Sequence, residues 1–134
     1  HCFVLQPRGT TGYCHRIICA QDYSAVTAAC MMVKRSAFEE VGGLTEELAV
    51  AFNDIDFCMK LRTAGYLIVY NPYAELYHYE SKSRGLEDTP EKVARFNKEI
   101  QVFERRWPDI MRDGDPYYNP NLTLKSQDFS LKRI

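Results

Sequence analysis

Two aspartates, Asp54 and Asp56, open the segment FNDIDFCMKLRTAGY at residues 52–66. Its apolar residues recur at helical spacing, which predicts a helix over about residues 54–64. With Asn53 as the N-cap, both acids lie at the positive end of the helix dipole, an arrangement that stabilises the helix. The same dipole keeps a carboxylate ionised at neutral pH, and an ionised carboxylate can accept a proton as a general base. Spacing alone leaves helix capping and catalysis as alternatives for this pair.

The D-x-D spacing of these residues also suggests a metal site. Paired aspartates can hold Mg²⁺ or Mn²⁺ against a diphosphate. The same spacing recurs at Asp113 and Asp115, so the pattern is weak evidence for a metal. We therefore favour the two alternatives without a metal for Asp54 and Asp56.

A histidine followed by a polar, basic loop is the second candidate for chemistry. His78 lies in LYHYE, and the loop SKSRG follows at residues 81–85. The hydroxyls of Ser81 and Ser83 and the guanidinium fork of Arg84 are suited to phosphate oxygens. In that case His78 would join a divalent cation that bridges the same phosphates. The alternative is a packed histidine beside a solvated loop.

The segment AVTAACMMV at residues 25–33 is apolar and rich in small side chains, which predicts a buried strand. The small side chains of Thr27, Ala28 and Ala29 either leave space for a ligand beside the sheet or fill the core.

The rest of the pattern predicts helices and strands in alternation. The expected elements are a short helix that begins at the N-cap Ser36 with a capping box to Glu39, strands at 66–70 and 74–79, a helix from Pro90 to about Trp107, and an extended tail at 109–134. This order indicates an α/β layered sheet with flanking helices. Ligands bind such sheets at the carboxyl ends of the strands, where Asp54, His78 and the SKSRG loop would lie.

Length and charge restrict the classes of function. The chain has 134 residues and a formal net charge of −1, so we expect a single domain (1–134) and no nucleic-acid partner. It has no apolar run of transmembrane length. It begins with His1 and continues at once into an apolar segment, which suggests a piece of a longer polypeptide. Five cysteines without a C-x-x-C pair favour free buried thiols in a reducing cytoplasm over a zinc site.

Taken in order, the motifs resemble the C-terminal, acceptor-side part of bacterial family-two glycosyltransferases with the GT-A fold. The motifs are TAACMMVKRSAFEEVGGLTEEL, AFNDIDFCMKLRTAGYLIVYNPYAELYHYESKSRG and DPYYNPNL. The resemblance runs from about Val26 to Gly85, with the last motif as a further match. It implies a partial GT-A layered sheet, with an acceptor-side α/β core at about 1–85 and a C-terminal helix and tail at 86–134.

The resemblance also implies roles for individual residues. Asp54 would be the general base that deprotonates the acceptor sugar, which then attacks the anomeric carbon with inversion. Asp56 and Thr27 would contact the acceptor, although Asp56 is alternatively a helix cap. His78 would lie at a divalent metal. The residues expected to bind the nucleotide diphosphate are Ser81, Ser83 and Arg84.

The chain departs from the family pattern in three ways. Asn53 occupies the first position of the family's acid pair, and Thr45 stands where the family usually has Asp. The N-terminal half with the nucleotide-binding strands has no counterpart here. We therefore expect the divalent cation (Mg²⁺ or Mn²⁺) and activity only in a full-length protein that is cytoplasmic or at the inner membrane surface. The isolated chain would self-associate through an exposed sheet edge.

These features also fit a second class of protein. A non-catalytic module that binds carbohydrate or another protein could use the same scaffold, since the nine Tyr and one Trp suit sugar stacking as well as core packing.

Overall fold

The computed structural model describes Phe3 and residues 6–79, 89–126 and 128–133. Within these ranges short helices and one small sheet are joined by irregular segments. The α-helices are α1 (Arg35–Glu40), α2 (Asn53–Thr63), α3 (Pro90–Arg106) and α4 (Pro108–Asp113), the strands are β1 (Gln21–Asp22) and β2 (Val69–Tyr70), and 3₁₀ turns lie at Tyr13–His15 and Ala28–Cys30.

The described residues contain a two-stranded ribbon in place of the expected layered sheet. Strand β1 pairs with β2 in antiparallel register, with Gln21 opposite Tyr70 and Asp22 opposite Val69. Residues 25–33 hold a 3₁₀ turn, and residues 74–79 are irregular. The predicted strands at 25–33 and 74–79 are therefore wrong for this structure, and that at 66–70 is reduced to its last two residues. A strand needs a neighbour for its backbone groups, which an apolar or alternating pattern does not supply.

The core joins α1, α2 and the segment before β2. It consists of the side chains of Ala37, Phe57, Cys58, Leu61 and Ile68. Helix α1 begins at Arg35, with no side-chain cap, so the predicted capping box of Ser36 and Glu39 is wrong. Gly43 ends this region with a φ of 63°, and an added Cβ would lie 2.8 Å from the ring of Phe38. Glycine suits the turn, because a side chain would be strained at this φ and its Cβ would crowd the Phe38 ring.

Helix α3 confirms the prediction for residues 90–107. The Thr89 hydroxyl oxygen accepts a hydrogen bond from the Lys92 N–H, and Pro90 occupies the first helical position. Pro108 then begins α4 instead of an extended tail. Proline stops the preceding helix and also suits the first turn of the next, so the sequence pattern did not distinguish the two outcomes.

The C-terminal tail packs against the N-terminal segment. The ring of Phe129 stacks on Phe3 at 4.9 Å and on Tyr13 at 5.0 Å between centroids. Both terminal nitrogens of Arg16 donate to the Tyr117 carbonyl at 3.2 Å. These contacts give the tail the support that its sequence requires to be ordered.

Several apolar side chains of the described chain remain exposed. Met32 is 99% exposed and Leu67 is 66% exposed. Such residues are consistent with the predicted self-association, which stays a prediction. Of the described cysteines Cys58 is buried, whereas Cys14, Cys19 and Cys30 are exposed. The expectation of buried thiols is therefore wrong for Cys14, Cys19 and Cys30.

None of the described helices is both long and apolar enough to cross a membrane.

We expect Phe129→Ala to lower the free energy of unfolding by about 3 kcal/mol, because it removes the ring between Phe3 and Tyr13. Urea unfolding measures the loss. Leu124→Ala is the matched control, since Leu124 lies in the same tail and is 87% exposed. The control should change stability by less than about 0.5 kcal/mol, and equal losses in both variants would contradict this account of the tail.

Candidate functional site

Asp54 lies in the first turn of α2 and is partly exposed. One carboxylate oxygen, Oδ2, accepts a hydrogen bond from the Ala28 N–H at 3.2 Å. The other, Oδ1, accepts one from the Ile55 N–H at 2.9 Å. An ionised carboxylate has about four acceptor positions, so these two bonds leave capacity for a further donor.

The segment opposite Asp54 is the 3₁₀ turn that starts after Thr27. The Thr27 hydroxyl oxygen caps this turn by accepting the Ala29 N–H at 3.3 Å. The side chains of Thr27, Ala28 and Ala29 are exposed, so they do not fill a core. The structure thus brings two residues predicted from the sequence, Asp54 and Thr27, to the same place, joined by the Ala28 amide.

The residue before α2 has an unusual backbone conformation. Phe52, and not Asn53, is the N-cap, with a φ of 62°. A left-handed conformation costs a non-glycine residue of order 1–3 kcal/mol and requires support from its surroundings. The Phe52 ring is supported by two rings of α3, with centroid distances of 5.6 Å to Phe96 and 5.3 Å to Phe103. The predicted N-cap at Asn53 is therefore wrong, and Asn53 is the first helical residue.

Asp56 has the opposite environment from Asp54, since none of its side chain is exposed. Its carboxylate accepts hydrogen bonds from the Thr45 hydroxyl at 2.6 Å, Arg106 Nε at 2.7 Å and Trp107 Nε1 at 2.8 Å. The Lys60 ammonium lies 3.8 Å away. Burial by itself raises the pKa of Asp56, but the three hydrogen bonds and the charge of Arg106 outweigh it and lower the pKa.

These contacts correct the expectation that Asp56 touches an acceptor. A sugar hydroxyl would have to displace a bound donor from a carboxylate with no exposed surface. Asp56 instead connects α2 to the end of α3. Thr45, noted from the sequence as a departure from the family pattern, is one of its donors.

Glu99 is a site residue that the sequence interpretation missed. It is 2% exposed and accepts hydrogen bonds from the Ala51 N–H at 2.8 Å and the Val50 N–H at 3.2 Å. It therefore holds the backbone immediately before Phe52 and α2. The available signal was an acid on the apolar face of the predicted helix, three residues after Phe96 and four before Phe103.

The other predicted site residues belong to the segment of the chain that follows β2. His78 is exposed in an irregular segment. Ser81, Ser83 and Arg84 lie outside the described residues. Among the described residues no three His, Cys, Asp or Glu side chains are grouped to hold a metal ion. The carboxylate of Asp56, with three hydrogen bonds and no exposed surface, also does not fit a shared Asp54–Asp56 cation site.

An open cavity of about 280 Å³ lies between residues 30–34, α1, α2 and residues 66–69. Its lining is mainly apolar and includes Val26, Met31, Cys58 and Leu61. Burial raises the pKa of the Cys58 thiol, and the negative charge of Asp54 acts in the same direction. The thiol is therefore a packing group. Lys34 and Tyr66 are among the lining residues, and the Tyr66 hydroxyl donates a hydrogen bond to Glu40 Oε2 at 2.7 Å.

The relatives found among curated proteins include one uncharacterized protein and two proteins with a functional name. The chain is 56% identical over 132 residues to the uncharacterized protein y4gI of Sinorhizobium fredii, a match that covers 98% of the chain and 14% of that protein. It is 34% identical over 113 residues to the O-antigen biosynthesis protein RfbC of Myxococcus xanthus, a match that covers 84% of the chain and 8% of RfbC. It is 36% identical over 78 residues to the N-acetylglucosaminyl-diphospho-decaprenol L-rhamnosyltransferase of Mycobacterium tuberculosis. This match covers 58% of the chain and 25% of that enzyme.

The chain is related to glycosyltransferases. This glycosyltransferase-related segment spans a quarter or less of the length of each of these three relatives. No family model matches it, and no solved structure matches it significantly.

We expect Asp56→Asn to lower the free energy of unfolding of this glycosyltransferase-related segment by about 3 kcal/mol, because it leaves Arg106 without its buried counter-charge. The folded-state pKa of Asp56 is lowered. Its ionisation therefore stabilises the fold above the unfolded-state pKa of about 4, and this stabilisation is lost as pH falls through the folded-state pKa.

Urea unfolding between pH 2.5 and 7 measures both effects. The Asp56→Asn variant should lose less stability at acid pH than the wild-type chain. Asp109→Asn is the control, since the Asp109 side chain is 80% exposed. If the free energy of unfolding fell as steeply with decreasing pH in Asp56→Asn as in the wild-type chain, the role given to this carboxylate would be refuted.

Proposed function

We propose that the chain forms the acceptor side of an inverting family-two glycosyltransferase with the GT-A fold. The whole protein would move a sugar from a nucleotide-diphospho-sugar to a carbohydrate acceptor in polysaccharide synthesis. The observation that carries the proposal is the partly exposed Asp54 carboxylate beside Thr27 in a chain related to a rhamnosyltransferase.

Asp54 has the properties that a general base needs. Its carboxylate has two backbone partners and retains acceptor capacity. It lies in the first turn of α2, at the positive end of the helix dipole. Asp56, two residues later, accepts three hydrogen bonds and has no exposed side-chain surface, so it is not a candidate for this role.

The proposed step transfers one proton and exchanges one bond. The acceptor hydroxyl gives its proton to the Asp54 carboxylate as its oxygen bonds to the anomeric carbon of the donor sugar. The bond from that carbon to the diphosphate oxygen breaks, and the nucleotide diphosphate leaves with the electron pair. Attack from the side opposite the leaving group inverts the anomeric centre.

Thr27 supports acceptor binding in this proposal. Its exposed side chain lies one residue before Ala28, whose amide donates to Asp54. A sugar bound with one hydroxyl at Asp54 would therefore have a second polar partner at Thr27. Two such contacts orient the reacting hydroxyl, and orientation is a large part of the rate.

In this proposal the donor sugar is bound by residues other than Asp54 and Thr27. Binding of the diphosphate by Ser81, Ser83 and Arg84 remains a prediction from the sequence, as does a cation at His78. The role proposed for Asp54 depends on neither. We expect the divalent cation and the nucleotide-binding strands in the remainder of the whole protein.

A location at the membrane surface is supported by one relative. Its name gives a diphospho-decaprenol-linked sugar as the acceptor. We propose that the whole protein works in the cytoplasm or at the inner membrane surface on a carbohydrate acceptor.

We expect Asp54→Asn in the whole protein to keep nucleotide-sugar binding and lower turnover by a factor of about 10² or more, because the amide cannot accept the proton. Calorimetry and release of nucleotide diphosphate, over a panel of nucleotide sugars with acceptor, measure the two effects. Asp109→Asn, an exposed position on α4, is the control. Wild-type turnover in Asp54→Asn would refute the base, and sugar binding without turnover by the wild-type protein would favour a carbohydrate-binding module.

The 134-residue chain by itself should transfer no sugar, since the donor must be held in line with the acceptor by parts that it does not supply. The same release assay applied to the purified chain tests this. Turnover with any nucleotide sugar of the panel would contradict the division into donor and acceptor sides.

A further inference from the structure

We propose that Glu99 is a positioning residue for Asp54, acting through the backbone turn at residues 50–52. The proposal rests on the function proposed above for Asp54. Glu99 itself touches no reacting group. It holds the turn from which α2 starts, and so sets the direction in which the Asp54 carboxylate points.

The contacts of Glu99 are directed at the turn. Its two carboxylate oxygens accept separate backbone hydrogen bonds, Oε1 from the Val50 N–H and Oε2 from the Ala51 N–H. Arg95 Nε is farther away, at 3.9 Å, and provides charge compensation on the same helix. A buried carboxylate bound to two successive amides fixes their direction, because each bond is charge-assisted.

The turn needs such support because of Phe52. Its φ of 62° is unfavourable for a side chain of this size, and it immediately precedes α2. Helix α3 supports Phe52 from two directions, through the rings of Phe96 and Phe103 and through Glu99 on the residues just before it.

Contacts from α3 hold the chain both before and after Asp54. Before it, Glu99 holds the amides of residues 50 and 51. After it, Asp56 is held by Arg106 and Trp107 at the end of α3. The first turn of α2 is therefore fixed on both sides of the proposed base, and Asp54 is left facing Ala28.

The test compares Glu99→Gln with Glu104→Gln, an exposed position on α3. Glutamine has one acceptor oxygen where glutamate has two, so it cannot accept the two amides on separate oxygens. We expect hydrogen exchange at Val50 and Ala51 to become at least about tenfold faster in Glu99→Gln, whereas Glu104→Gln leaves it unchanged.

The decisive readout is at the amides that bind Asp54. In the ¹H–¹⁵N spectrum of the chain, the Ala28 and Ile55 signals should shift in Glu99→Gln and keep their positions in Glu104→Gln. A purely structural role for Glu99 would lower the melting temperature and leave both signals in place in the folded variant. That result would overturn the proposal.

Phe96→Leu keeps the test decisive where Glu99→Gln does not fold. It removes one ring contact to Phe52 at a side chain that is already 38% exposed. The Ala28 signal should shift in this variant too, and an unchanged signal would overturn the proposal. These readouts do not involve turnover. A shift of the Ala28 signal together with full activity of Asp54→Asn in the whole protein would reject the base and retain the positioning by Glu99.

Discussion

The buried carboxylate of Asp56 is the interaction on which the arrangement of this chain depends. It binds Thr45 from the loop after α1, Arg106 from the end of α3 and Trp107 from the junction with α4. A charge with no exposed surface is tolerated only when it is paired and hydrogen-bonded, so the three donors must be in place together. The placement of α3 against α2 follows from this requirement. The contacts of Glu99 and Phe52 become available only once α3 is there.

Helix geometry explains why two acids so close in sequence differ so much. Two residues advance by about 200° around an α-helix, so Asp54 and Asp56 point to nearly opposite sides of α2. The side of Asp56 is covered by α3. The side of Asp54 faces the 3₁₀ turn after Thr27, where the partner is a backbone amide. One acid therefore stabilises the fold, and the other retains the capacity to accept a proton.

The small sheet and the exposed apolar residues fit a segment that has more structure beside it in its relatives. The chain spans 14% of the Sinorhizobium relative, with which it shares 56% identity over nearly its whole length. Side chains such as Met32 and Leu67 are apolar without being buried here, which is the state expected of surfaces that pack on other parts of a larger protein.

The sequence by itself determined helices α1, α2 and α3 and the presence of acids at the start of α2. Thr89, Pro90 and the apolar spacing after them were sufficient for α3, because capping and amphipathic packing are local properties. It did not determine which acid is accessible. That depends on Arg106 and Trp107, 50 and 51 residues away in the chain, and spacing carries no information on which side of a helix a distant segment will cover. The strands at 25–33 and 74–79 failed for the same reason, since pairing also depends on a distant partner. The tertiary structure therefore decided the roles of Asp54, Asp56 and Glu99, because burial and hydrogen bonding are set by contacts between segments far apart in the sequence.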